Sequence, residues 1–136
     1  MPLYLFNAPK GVLTDAAKAA IAADSTRIYC EVTGAPALYV NAFFFEELPM
    51  VPLQGRDVFI RAGTCKGWSQ QQKDLIAERL TASKARHAGI DLGDIGISFH
   101  DTPARWAMEG GDIVAEPGED AAWLAAREAK HAGLAG

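Results

Sequence analysis

The chain has 136 residues, 49% hydrophobic and 22% charged, with a net charge of −4 and a mean hydropathy of +0.00. That is enough for one domain that folds without disulfides or a metal, and its acidity and lack of basic runs argue against nucleic acid as a partner. The longest apolar stretch, Ala35–Phe45, is too short to span a bilayer, so no membrane partner is expected. With no charged-then-apolar leader, the cytoplasm is the expected compartment.

The chain opens with Met1-Pro2-Leu3-Tyr4-Leu5-Phe6-Asn7, which reads as a short buried strand led by proline at a sheet edge. Initiator methionine is commonly trimmed before proline, and trimming would leave a free secondary amine on Pro2. An α-amino group titrates at about 7.7–8.0, close to the pH at which a general acid or base works best. Burial beside Leu3 and Phe6 would disfavour the charged amine and suit it to a base. The plainer reading is a proline placed where a strand start tolerates it. Thr14 then reads as the N-cap of a helix with Asp15 in its first turn, Ala17, Ile21, Ile28 and Val32 on its buried face, and Gly34 and Pro36 as its stop. Leu38–Phe45 reads as the following strand, with Phe43, Phe44 and Phe45 buried on both faces.

A shift of 55 positions lays Leu3 on Val58 and repeats the whole pattern. Thr14 falls on Ser69, Lys18 on Lys73, Ile21 on Ile76, Gly34 on Gly89, Phe44 on Phe99 and Glu46 on Asp101, the mark of a duplicated unit. The second unit has a strand in Asp57–Thr64 and a Ser69-to-Gln72 capping box. A helix with Leu75, Ile76 and Leu80 follows, then a closing strand at Ile95–His100. A β-α-β crossover makes a parallel, right-handed pair. The fold class is therefore α/β (α+β): a tandem β-α-β repeat, with a four-stranded sheet and two helices on one face. A single domain, 1–136, divides into units 1–54 and 55–102 and a helical tail, 103–136. The tail has a turn of helix around Ala104–Glu109, a helix at Glu119–His131 carrying Trp123, and a loose end. The uncovered sheet face, with Phe43 and Phe45, points to self-association. Cys30 and Cys65 lack metal spacing and read as buried free thiols, a disulfide remaining open. His87, His100 and His131 also lack metal spacing, and Glu46-Glu47 would point to opposite faces of a strand.

A duplicated β-α-β unit starting at Pro2 resembles the tautomerase superfamily. Gly67-Trp68-Ser69-Gln70-Gln71-Gln72-Lys73 is similar to the Gly-Arg-Ser…Gln-Lys helix entry of oxalocrotonate tautomerases. Leu13-Thr14…Lys18, Thr33-Gly34, Pro103-Ala104, Met108-Glu109 with Gly111, and Glu116-Pro117-Gly118…Trp123 resemble the fused branch around cis-3-chloroacrylic acid dehalogenase. The resemblance implies a homotrimer, no cofactor, no metal, and a small 2-oxo acid or acrylate-type substrate. Pro2 matches the amino-terminal proline, a base in tautomerases and a proton donor in the dehalogenase, and Glu109 matches the glutamate that activates water. The dehalogenase's substrate-binding histidine falls on Tyr29 and its tyrosine on Ser98. Its two carboxylate-clamping arginines fall on Cys65 and Trp68, which removes the bidentate fork.

Lys66 in the same loop and Arg61 in the strand before it are candidate replacements. Their plainer readings are a solvated charge and a structural ion pair. Trp68 would wall an aryl-accepting pocket or pack between subunits, and Tyr29 would orient substrate or simply pack. The leading function is enol–keto proton transfer on a phenylenolpyruvate-like 2-oxo acid with Pro2 as base. The alternatives are a hydratase or dehalogenase of 3-haloacrylates or propiolate with Pro2 as acid and Glu109 activating water, and a noncatalytic trimeric binding protein.

Overall fold

The computed structural model describes residues 2–46 and 58–134. Met1, Glu47, Asp57 and Ala135-Gly136, on which parts of the sequence reading fall, lie outside the described residues. In chain order β1 (Leu3–Ala8), α1 (Asp15–Thr33), a 3-10 turn (Ala37–Tyr39) and β2 (Asn41–Glu46) form the first unit. The second has β3 (Val58–Cys65), α2 (Gln70–Ala88), a 3-10 turn (Leu92–Asp94) and β4 (Ile95–Thr102). A third 3-10 turn (Ala104–Trp106), the hairpin of β5 (Met108–Glu109) and β6 (Asp112–Ile113), and α3 (Asp120–Leu134) follow. Both long helices and their 3-10 turns keep the shift that lays Leu3 on Val58.

The helix boundaries follow from cap chemistry. Thr14 Oγ1 accepts from Ala17 N at 3.0 Å, and Gly34 closes α1 at φ 74°, where a side chain would be strained. Ser69 and Gln72 complete a reciprocal capping box on α2; such a cap contributes about 1 kcal/mol. β2 starts at Asn41, later than the apolar run suggested. Pro36 favours a turn in which Val40 N donates to Ala37 O at 3.1 Å, so residues 37–39 wind before extending.

The sheet order is β2-β1-β3-β4. Each repeat supplies a parallel pair, β1 with β2 and β3 with β4, and the repeats join through the antiparallel β1–β3 ladder. Alternation sends Tyr4, Phe6, Ile60 and Ala62 toward α1 and α2, where they pack with Ile21, Ile28, Ile76 and Leu80. Each such aliphatic side chain stabilises the fold by about 1.5–3 kcal/mol. Asp24 on α1 accepts from Ser83 Oγ (2.7 Å) and Arg86 (2.8 Å) on α2, which ties the two helices together.

The opposite face carries Leu5, Phe43, Arg61 and Ser98 in one row across the four strands. Phe43 is 52% exposed there, so the expected burial of the phenylalanine run on both faces does not hold at this edge strand. Phe44, on the helix side, stacks on Phe6 with centroids 5.0 Å apart. Among the described residues no helix is long and apolar enough to cross a membrane.

Candidate active site

Pro2 immediately precedes a central strand rather than an edge one, which corrects the sequence reading. It is buried, and its carbonyl accepts from Asn41 N at 3.1 Å. A proline at this first position leaves no ladder donor missing. Strand alternation puts its ring on the helix side with Tyr4 and Phe6. The C-terminal half of α1, the Ala37–Tyr39 turn and the loop from β3 to α2 all arrive at this end of the sheet.

Tyr29, on α1, is buried, with its ring edge-on to Trp68 at 6.2 Å and 89°. Burial, then the nearby Cys65, push its phenol well up, with Trp68 and Thr33 only partly opposing, so it stays a neutral hydroxyl. Trp68 packs against the main core with its buried Nε1 in no complete hydrogen bond. Lys66 is exposed; its backbone N–H donates to Thr102 O at 2.9 Å, and its charge acts on Asp101. That carboxylate is held below its usual range first by a 2.5 Å bond from Lys73, and it accepts from Thr64 at 3.1 Å. Arg61 lies on the face away from Pro2, with its guanidinium 5.5 Å over Phe59. Within this chain the sheet therefore separates it from the Pro2 ring. Ser98 shares that far face and lies 3.3 Å from His100. Cys30 and Cys65 are not joined in a disulfide.

The tail closes the same end differently from the expected helical turn at Ala104–Glu109. After the 3-10 turn the chain forms a hairpin, because Gly110 and Gly111 (φ 59° and 86°) supply the two left-handed positions of a tight turn. Glu109 enters on this hairpin, and its Oε1 is buried without a hydrogen-bond partner among the described residues. Trp123 on α3 donates from Nε1 to Ile113 O at 2.5 Å and meets Tyr39 edge-on at 5.5 Å. Arg127, one turn further along α3, lies 5.2 Å over the Trp123 ring. Tyr39 is 1% exposed, and its hydroxyl also has no partner among the described residues. Burial raises its pKa first, then the charges of Asp120 and Glu109, while Arg127 opposes them. Tyr29 feels Asp120 as well, so both phenols converge on the start of α3.

The structure thus gathers Pro2, Tyr29, Trp68 and Glu109 at one end of the sheet, leaves Lys66 at its rim and places Arg61 behind it. Sequence reasoning missed Tyr39 and Arg127. Tyr39 was hidden inside an apolar run, and the available signal for Arg127 was its four-residue spacing from Trp123 on a helix. Tyr4 Oη, Tyr39 Oη and Glu109 Oε1 are buried with no hydrogen-bond partner among the described residues, and Trp68 Nε1, which approaches Tyr29, completes none there. Each costs about 1–3 kcal/mol unless water or a ligand meets it. Among the described residues no three His, Cys, Asp or Glu side chains are grouped to hold a metal ion.

A family model described as "Putative oxalocrotonate tautomerase enzyme" matches residues 1–87. Among solved structures the chain is similar to N1, a member of the cis-3-chloroacrylic acid dehalogenase family, with TM-score 0.82 and 24% identity over 90% of each chain. It is similar to native Ps01740, with TM-score 0.71 and 31% identity over 79% of this chain and 99% of that one. It also resembles the R7 fused 4-OT wild-type asymmetric trimer, with TM-score 0.68 and 24% identity over 82% of this chain and 94% of that one. Comparison with curated proteins finds no match.

Proposed function

We propose, on the premise that this chain belongs to the tautomerase superfamily as a member of the oxalocrotonate tautomerase family it matches, that it moves a proton between the enol and keto forms of a 2-oxo acid. Once Met1 is removed, the Pro2 nitrogen is the base. It takes a proton from the enol hydroxyl and returns it to carbon, with no cofactor. The observation that carries this reading is Pro2 itself: buried at the head of a central strand, at the end where Tyr39 and Glu109 keep oxygens without partners among the described residues. Enclosure disfavours a charged amine and so favours a base. Tyr29 and Tyr39, both neutral, serve as donors to an enolate oxygen. Trp68 walls the side where an aryl group would lie, which makes phenylenolpyruvate the substrate to try. The half-exposed Phe43 and its row of neighbours suit a face shared between copies in a homotrimer, where Arg61 would belong to the interface. Lys66, at the rim, is a candidate for drawing in an anion.

The buried Glu109 oxygen favours a second reading, in which protonated Pro2 is the acid and Glu109 activates water for addition to an acrylate or propiolate. Enol decay separates activity from its absence. Protein with a free Pro2 amine should accelerate phenylenolpyruvate ketonisation over buffer, and protein whose amino terminus stays acylated should not. Equal rates in both, or no acceleration in either, would remove the tautomerase reading.

A further inference from the structure

The cations at the Pro2 end of the sheet differ in what they are free to hold. Lys73 is committed to Asp101 at 2.5 Å, while Lys130 and His131 converge on Asp112. Lys66 is exposed, and Arg61 is on the far face. Arg127 stands apart from these. Its side chain is 27% exposed, and its only carboxylate contact among the described residues is a long one, from Nε to Asp112 at 3.8 Å. The Nη edge makes no ion pair or hydrogen bond among the described residues.

That edge is held in place. The guanidinium lies 5.2 Å over the Trp123 ring, and Trp123 is itself pinned by its bond to Ile113 O and its edge contact with Tyr39. On the other side Nη2 abuts Gly110, where a Cβ would come within 2.8 Å of it. A planar fork held between an indole and a glycine turn, its charge felt by the buried Tyr39 hydroxyl that has no partner among the described residues, is built to receive a planar anion. We propose that Arg127 is the anchor for the substrate carboxylate, binding it through both Nη groups while the Tyr39 hydroxyl donates to the adjacent 2-oxygen. This rests on the 2-oxo acid reading above. It moves the cation from the β3–α2 loop, where Cys65 and Trp68 stand, to the C-terminal helix.

The test compares untagged, Met1-free protein with Arg127→Ala and Arg127→Lys on phenylenolpyruvate and on its methyl ester. Arg127→Ala should raise KM for the acid about tenfold or more, with a smaller change in kcat, because a charge-assisted pair is lost. Arg127→Lys should restore part of that, since a point charge lacks the fork. The preference for acid over ester should fall by the same factor as the KM change. Equal weakening toward acid and ester, or an unmoved KM, overturns the proposal. If the unaltered protein turns over neither enol, the proton-transfer reading fails on its own, and calorimetric binding of phenylpyruvate decides about Arg127. Binding about tenfold weaker in Arg127→Ala supports it; equal affinity, or no binding by the unaltered protein, overturns it.

Discussion

Replacing Pro2 with alanine is expected to lower kcat/KM for enol ketonisation by about a hundredfold or more, the usual contribution of a positioned general base. The variant still loses Met1 and still offers an amine, so the loss measures geometry and not the mere presence of nitrogen. Proline locks φ through its ring, which points the lone pair in one direction once the Asn41 bond fixes the carbonyl. A primary amine on alanine turns freely and is better hydrated. Single-turnover decay of phenylenolpyruvate checks this, with circular dichroism to confirm that the fold is kept. Full activity in Pro2→Ala would be incompatible with proline as the base.

The second large effect concerns stability. Lys84 on α2 is fully buried, and its Nζ donates to Asn7 O at 2.8 Å and Phe59 O at 2.9 Å. Asn7 and Phe59 are a terminal pair of the β1–β3 ladder, so Lys84 satisfies carbonyls at that end of it. In the duplicated pattern Lys84 is the counterpart of Tyr29. One copy of the position lines the Pro2 end, and the other closes the opposite end. Burial lowers the lysine from 10.5 to about 7. Below about 7 both folded and unfolded chains carry the proton and the burial penalty is fully present. Between there and the ordinary lysine range the unfolded chain binds more protons, so stability rises with pH. The full shift bounds that rise at roughly 4–5 kcal/mol. Lys84→Met should flatten the rise in urea midpoint between pH about 7 and about 9. Lys84→Ala should destabilise by about 3–5 kcal/mol through the lost volume and the two bare carbonyls. A wild-type midpoint that falls across the same window would refute the assignment.

Local chemistry was legible where a few neighbouring residues decide it. Thr14 with Gly34, and Ser69 with Gly89, mark both long helices because a cap needs only its own turn, and the duplication carried strand, helix and strand into phase. The tail was less legible. The helical turn holds at Ala104–Trp106, but Gly110-Gly111 draw Met108 and Glu109 into a hairpin instead. Strand order was harder still: nothing near Pro2 announces that β1 is central. Arg61 shows why faces were missed, since alternation gives two faces but only the β1–β3 register says which one Pro2 takes. Lys84 looks like any helix lysine until the ladder end beneath it is seen. Tyr39 meets Trp123 and feels the charge of Arg127 only because α3 folds back over the turn before β2, a contact between distant parts of the chain that no local pattern encodes.

The most direct measurement is a nitrogen-15 titration of the Pro2 amine in Met1-free protein by nuclear magnetic resonance. A base enclosed as described should titrate below the ordinary α-amino range of about 7.7–8.0 and be neutral at working pH. A nitrogen that is still protonated well above that range, or acylated in the mature chain, would contradict the account.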